Sequence, residues 1–458
     1  MNQSQSPLFT KIVVGICFGL GIIGIAVFAA SNFSSGGEDA SLQGTVEIWG
    51  TLPESQMSKI SYEYSQTAKK ITIKYKQIEN KNLPDKLIEA IARDAAPDMI
   101  IADENTLFPL RNYFANFDSS QMSEVTYKNI FARSTYKMYG ASGVFAFPIV
   151  IDPLVMYVNT DILLNAGFQK APKTWSDIPI FVKEVVRLNK NNKNVEQRAI
   201  AMGTFSNVLY AKEILLSLLL QLNNQVIIRD FEPLDEKGKI VYKEKYESVF
   251  GIKDIPKKLN NGSVSELTFN FFSSFINPNL EDVYTWSRRA PVDRDLFSAG
   301  NLGLYFGLAS DKKYIDEKNS NLKYELAMLP VPAADSDKFL NTNYAKVYSI
   351  AMVKKNKNVA LSSKILSDFS SAPVSLKIAK TLNLAPARSE DLSVSQSNVD
   401  ANIIYKSAQR GDFVPEPKFR LIDTVFSQIS DALSGSTLAP AEIINNAQEE
   451  LSRQINNK

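Results

Sequence analysis

GTVEIWG (residues 44–50), ITIKYKQI (71–78) and PDMIIA (97–102) are short runs with the two-residue alternation, or the full apolar character, of strands. The segments between them have helical spacing. In Met57–Lys70, Ile60, Tyr64 and Ala68 fall on one face, and Leu83–Ala92 opens with Pro84, a good first-turn residue. The order is β-α-β-α-β, the signature of an α/β chain with a doubly wound parallel sheet.

The alternation resumes beyond residue 140. Val144–Val150 and Leu154–Val158 read as two strands, and Thr174-Trp175-Ser176-Asp177 opens a helix over Ile178–Leu188. Ala211–Leu222 reads as a buried helix. Phe297–Leu308 runs from a helix end into a strand punctuated by Gly300, Gly303 and Gly307, and Glu325–Leu329 and Val347–Val353 are further strands. Helices follow at Val359–Ser370, Pro373–Thr381, Leu421–Ser434 and Pro440–Ile455, with Gly435 as a stop between the last two. The chain has 458 residues, too many for one ordinary core, so two domains are expected.

Toward the N-terminus, Ile12–Ala30 carries no charge. Its length matches the roughly 20 residues needed to cross a bilayer and exceeds a signal-peptide core of about 7–15. Lys11 precedes it, and Glu38 and Asp39 follow, so the positive-inside rule places a short tail (1–11) in the cytoplasm and the body outside. Residues 31–43 are small and polar and read as a tether. Two rival readings are cleavage near Val27-Phe28-Ala29 and lipid attachment at Cys17, although Ile16 stands where a lipid-attachment signal needs a small residue. Gly15 and Gly19 form a GxxxG that can pair helices, or are plain anchor glycines.

Composition excludes much. The chain has no histidine, and its one cysteine, Cys17, lies in the apolar segment. Zinc sites of His and Cys, Ser-His-Asp and Cys-His catalysis, C-x-x-C redox chemistry and His-ligated haem are all ruled out. Net charge is +2 with no strongly basic run, so nucleic acid is not an expected partner. No phosphate-binding loop, nucleophile elbow or G-x-G-x-x-G is present, and no carboxylate pair can be nominated for glycoside hydrolysis. No cofactor or metal is expected, and the chain is read as a non-enzyme.

Several blocks, in order, resemble the extracellular solute-binding proteins of ABC importers, in the branch that includes maltose-binding protein. They are Val46–Gly50 (VEIWG), Ala96–Ile101 (APDMII), Met156–Asp161 with Ala166-Gly167 and Pro172–Asp177 (PKTWSD), Phe297–Leu304, Ala327–Pro332 and Pro386-Ala387-Arg388. The resemblance implies a two-lobed periplasmic-binding-protein fold of type II, with ligand held between lobes joined by crossing strands. The crossings would lie near Pro153–Tyr157, Leu329–Ala333 and Asn383–Pro386. Lobe 1 would comprise 44–153 and 331–383, and lobe 2 would comprise 154–330 and 384–458. The resemblance also implies a small-molecule ligand with a sugar as the leading class, ABC permease subunits as partners and a monomeric receptor. A departure is Leu308-Ala309-Ser310, where many relatives carry a platform tryptophan; another is the replacement of a family aromatic around Phe419–Ile422.

Candidate ligand contacts follow from position, each with a structural alternative. Trp49 either stacks on a sugar face or fills the core. Thr51 and Glu54 either meet hydroxyls or belong to a helix start. Asp103, Glu104 and Asn105 lie at the C-terminal end of the PDMIIA strand, where doubly wound sheets bind ligands, or cap the next helix. Asp152, Ser206, Asn207, Tyr305, Phe306 and Tyr344 are either cleft residues or ordinary loop and strand residues. Arg388 either binds a ligand bidentately or bridges the lobes by an ion pair. Trp175 is assigned to packing. The expected role is capture of a solute outside the cell and delivery to an importer; the competing role is an anchored sensor or adhesion module.

Overall fold

The computed structural model describes residues 42–68, 70–188, 195–236, 239–251, 263–332 and 341–456. The expected tail, membrane helix and nearly all of the tether lie outside these residues, as does the end of the second crossing. Among the described residues no helix is long and apolar enough to cross a membrane.

The first unit is as the sequence predicts. Strand β1 (Gly44–Gly50), helix α1 (Glu54–Thr67), β2 (Ile71–Gln77), α2 (Leu83–Ala92) and β3 (Met99–Ala102) follow one another, and β1 pairs in parallel with both β2 and β3. Parallel neighbours need a crossover, and the two helices provide it. Helix α3 (Glu104–Leu110) then starts at the C-terminal end of β3.

The two strands expected around residue 150 are a single one. β4 runs unbroken over thirteen buried residues, Phe147–Asn159, through Pro148 and Pro153. Prolines survive in a strand interior where a ladder bond is not required. Pro148 sits beside a register shift opposite Tyr348 and Ser349. The skipped residue, Ile149, gives its carbonyl to the Ala387 amide and the Ser375 hydroxyl instead. At Pro153 the strand changes neighbours, as described next.

Beyond β4 come β5 (Val195–Ile200), the fully buried helix α4 (Ala211–Gln221), the hairpin β6 (Ile227–Glu236) and β7 (Lys239–Ser248), then β8 (Leu302–Leu308), β9 (Tyr324–Ala327) and β10 (Asn343–Met352). Helices α5 (Val359–Phe369), α6 (Ala372–Leu382), α7 (Val399–Gln409), α8 (Leu421–Gly435) and α9 (Pro440–Asn456) complete the body. The sheet order is β2-β1-β3-β10-β4-β8-β5. β10 pairs with β4 from Phe147 to Pro153, and β8 pairs with it from Leu154 to Val158. One strand therefore belongs to both halves of an α/β, two-lobed fold. The buried alternation of β10 starts at Asn343, four residues before the strand expected from sequence.

The β6–β7 hairpin, whose alternation is masked in sequence by charged residues, reaches across to the other half. Its base is tied to α9, where the Gln448 side-chain oxygen accepts from the Ser248 hydroxyl and the Gly251 amide, each at 2.8 Å. Its arm carries Arg229, 6 % exposed, which bonds the Lys137 carbonyl at 2.7 Å and pairs with Glu244 at 3.2 Å. The Arg229 guanidinium also covers the rings of Phe108 and Phe231. Arg111, following α3, pairs with Glu244 at 2.5 Å. A Cβ at Gly140 would meet the Arg229 guanidinium, which would have to shift. Arg229→Ala should cost about 1–3 kcal/mol through lost ring contacts and the lost bond to the Lys137 carbonyl. Denaturant unfolding checks the cost. X-ray scattering should show a larger radius of gyration; unchanged values in both would mean the hairpin does not hold the halves together.

Candidate solute-binding site

The change of partner along β4 places Asp152 at the junction, directly opposite Lys346 of β10. Opposed residues share a face of the sheet. Lys346 alternates with Tyr344 and Tyr348 on that face, a polar row on an otherwise apolar strand. The row packs against α4, where the Ser217 hydroxyl accepts from the Tyr344 amide at 2.9 Å. Glu213 lies one turn before Ser217, on the same side of the helix, and so faces Lys346.

Burial alone would discharge the Lys346 ammonium, but Asp103, Glu213, Glu104 and Asp152 outweigh it and hold the group above the usual lysine value. Its nearest carboxylate oxygen is Asp103 Oδ2 at 3.8 Å, too far for a hydrogen bond. Asp152 Oδ1 accepts from the Ser310 amide at 3.1 Å, while Oδ2 is buried without a partner. Among the described residues the carboxylate of Glu213, which meets its own backbone, and the hydroxyl of Tyr348 make no hydrogen bond to another residue. Four groups on β4, β10 and α4 thus converge with spare hydrogen-bonding capacity.

The surrounding carboxylates are more fully engaged. Asp103 caps α3 through the Thr106 amide at 3.0 Å and accepts from Asn80 at 3.2 Å. Glu104 is fully buried; it accepts from the Tyr344 hydroxyl at 2.6 Å and the Val347 amide at 2.8 Å. Burial, then the charge of Asp103, pushes its carboxyl up to about 8. Burial likewise raises Asp152 to about 6 against the Ser310 bonds, and raises Glu213 against Lys212 and Lys346. Behind α4, Lys212 holds Glu416 and Asp423, each at 3.1 Å. Asp311 accepts from Tyr305 at 2.5 Å, Tyr210 at 3.2 Å and Arg294 at 3.0 Å.

Of the residues nominated from sequence, Asp103, Glu104, Asp152 and Tyr344 come together at this junction, and Asn105 joins them by bonding the Tyr344 hydroxyl at 2.8 Å. Others lie elsewhere. The Trp49 ring is 8 % exposed, donates to Glu47 at 2.7 Å and lies beneath Lys76, which closes its face to a sugar. Thr51 bonds the Ile101 carbonyl through its amide, and Glu54 is an exposed residue in the first turn of α1. Ser206 is exposed, whereas Asn207 is spent bonding Ser287, Ala290 and Trp286. Tyr305 is fully buried against Asp311, and Phe306 packs on Trp175, itself bonded to Gln221. Arg388 lies on the wall of a separate apolar cavity of about 610 Å³ with Phe117, Phe131 and Phe147. It bonds the Ser370 carbonyl at 3.0 Å and lies 3.8 Å from Asp391, so the ion pair it makes is local. Sequence reasoning missed Lys346 and Glu213. The signal for Lys346 was present, a lysine between two tyrosines at two-residue spacing in a buried strand; Glu213, next to Lys212 at the start of a strongly apolar helix, was marked by its charge alone.

A two-lobed body with partly unpartnered polar groups converging where the lobes join defines a receptor for a small polar solute. The model of the bacterial extracellular solute-binding protein family matches residues 49–366, well over half of the chain, and the chain belongs to that family. The family comprises binding proteins rather than enzymes, and its description places the body outside the cytoplasm. Solved structures share the fold at low identity. A cyclic α-maltosyl-1,6-maltose binding protein from Arthrobacter globiformis is 12% identical with a TM-score of 0.68, covering 91% of this chain and 100% of that one. The sugar-binding protein of Xanthomonas citri is 14% identical with a TM-score of 0.66, covering 90% and 97%. An oligosaccharide periplasmic-binding protein from Synechococcus is 15% identical with a TM-score of 0.64, covering 90% and 98%. No curated protein sequence matches.

Two predictions follow the geometry. Trp49→Ala should lower stability by about 3–5 kcal/mol, the range for emptying a buried aromatic site, measured by denaturant unfolding; a variant of native stability would place the ring outside the core. For Glu104, the native carboxyl near 8 lies above its ordinary 4.5, so the folded state binds the proton more tightly. Its contribution to stability is complete below about pH 4.5 and is lost as pH rises through 8. The melting temperature should therefore fall between about pH 5.5 and 8.5, and Glu104→Gln should flatten that fall; an equal slope in the variant rejects Glu104 as its source.

Proposed function

We propose that the protein captures a sugar or oligosaccharide between its two lobes outside the cell and delivers it to an ABC importer. In this reading residues 44–153 and 331–383 form one lobe, residues 154–330 and 384–458 the other, and residues 12–30 anchor the receptor in the membrane. The observation that carries the reading is the set of spare hydrogen-bonding groups where β4, β10 and α4 meet. Asp152 and Glu213 offer acceptors, and Lys346 and Tyr348 offer donors. A vicinal diol needs both, because each hydroxyl donates once and accepts in turn. The ligands of fold relatives, cycloalternan for a Listeria monocytogenes protein and maltotetraose for a cyclo/maltodextrin-binding protein, support a saccharide.

No bond is made or broken. A solute touching groups from both lobes favours the joined arrangement over the open one by its difference in affinity for the two. A permease that recognises the joined form then receives loaded receptor, and a membrane anchor raises the local concentration of one near the other.

The test is a thermal-shift screen of the full chain in detergent against neutral and amino sugars, oligosaccharides, amino acids and short peptides. A solute that binds the folded state alone raises the melting temperature by mass action. The expected result is a rise with one sugar class. A rise with amino acids or peptides alone would sink the saccharide reading, and no rise with any solute would favour an anchored adhesion or sensor module.

A further inference from the structure

Within the saccharide reading, on which this inference rests, we propose that the solute is a cationic amino sugar whose ammonium binds between Asp152 and Glu213. The argument is one of donors and acceptors. Around the junction stand four carboxyl groups, Asp103, Glu104, Asp152 and Glu213, against Lys346; Lys212, which also attracts Glu213, is spent on Glu416 and Asp423. Asp103 and Glu104 have their hydrogen bonds within the protein, and Asp103 is also the carboxylate nearest Lys346, at 3.8 Å.

That leaves Asp152 and Glu213 short of donors. Asp152 is 0 % exposed and its Oδ2 has no partner. It lies on β4 at the junction, on the face that opposes Lys346. Glu213 is 8 % exposed, and its carboxylate bonds its own backbone but, among the described residues, no other residue. A buried acceptor short of donors is costly, more so when charged, so each is a place where a ligand donor gains strongly. A hydroxyl supplies one donor and brings acceptor lone pairs of its own, for which Lys346 and Tyr348 are the donors on that face among the described residues. An ammonium supplies three donors and needs no donor in return. The acceptor-rich balance therefore fits a protonated amine better than another hydroxyl.

The aromatic side chains point the same way. A neutral sugar ring is held largely through its apolar face on an open aromatic platform. All three tryptophans, Trp49, Trp175 and Trp286, are at most 8 % exposed and have their ring nitrogens bonded inside the protein. Tyr210, Tyr305 and Tyr344 have their hydroxyls committed to carboxylates. Of the aromatic side chains in the row on β10, Tyr348 is the half-buried one with its hydroxyl unspent. Polar and ionic contacts must then carry most of the affinity.

The experiment is calorimetry on the full chain in detergent at about pH 6.5, where a sugar amine is largely protonated. The probes are a glucosamine trimer, its N-acetylated counterpart, maltotriose and spermidine. The glucosamine trimer should bind at least about ten-fold tighter than the N-acetylated one. That margin should shrink as salt rises, and Asp152→Asn and Glu213→Gln should each abolish it. Asp152→Asn keeps the oxygen that accepts from Ser310; should it fail to fold, Glu213→Gln and the salt series carry the test. Equal or tighter binding of the N-acetylated trimer or maltotriose overturns the cationic solute and leaves the saccharide reading standing. Binding of spermidine alone, or of no probe, overturns both.

Discussion

The hydrogen-bond ladder of β4 changes partner at Pro153, and the rest of the molecule is arranged around that change. A strand has two edges, and β4 lends one to β10 as far as Pro153 and pairs with β8 from Leu154 onward. The two halves thus share a backbone and cannot be separated without breaking the strand. Next to the changeover, the Ala309 amide bonds the Pro153 carbonyl, and Ser310 bonds Asp152. A buried carboxylate at the junction of two halves has to be matched by charge or by protonation. Lys346 opposite and the raised carboxyl of Asp152 are the consequences.

The charged groups divide by whether their bonds close within one half or across both. Lys212 with Glu416 and Asp423, and Asp311 with Tyr305, Tyr210 and Arg294, close on themselves and stiffen the half built on β8. Glu104 and Tyr344 fasten β10 to the end of β3. Ser217 and the Arg229 hairpin bind one half to the other. Lys346, Tyr348, Asp152 and Glu213 are the groups at the junction left with capacity to spare among the described residues. A solute is most effective at favouring the joined arrangement where it completes such bonds, since its gain there exists in that arrangement alone.

The fold was largely legible because its signals are local. Alternation in GTVEIWG, Pro84 in the first turn of α2 and the apolar run of α4 are properties of neighbouring residues, and backbone sterics and burial act on those directly. Where sequence and structure differ, a distant partner is the cause. Two strands were expected around residue 150, but the Ile149 carbonyl finds Ala387 and Ser375 far along the chain, and β4 stays whole. The β6–β7 hairpin was hidden because its outward residues are charged, and its contacts with Phe108, Arg111 and Lys137 are not written in its own pattern.

The site was half legible. Residues at the end of β3 and at the crossing, namely Asp103, Glu104 and Asp152, could be nominated because a doubly wound sheet opens at its C-terminal strand ends. The sequence by itself determined the element order, the exclusion of histidine and cysteine chemistry and the resemblance to solute-binding proteins, all of which depend on residue identity and short-range spacing. Only the tertiary structure decided that Trp49 is enclosed by Glu47 and Lys76, that Arg388 serves a different cavity and that Lys346 and Glu213 face each other across the junction. Those outcomes depend on which side chains meet after hundreds of residues of chain have been folded back, and on which hydrogen bonds are already taken when they do.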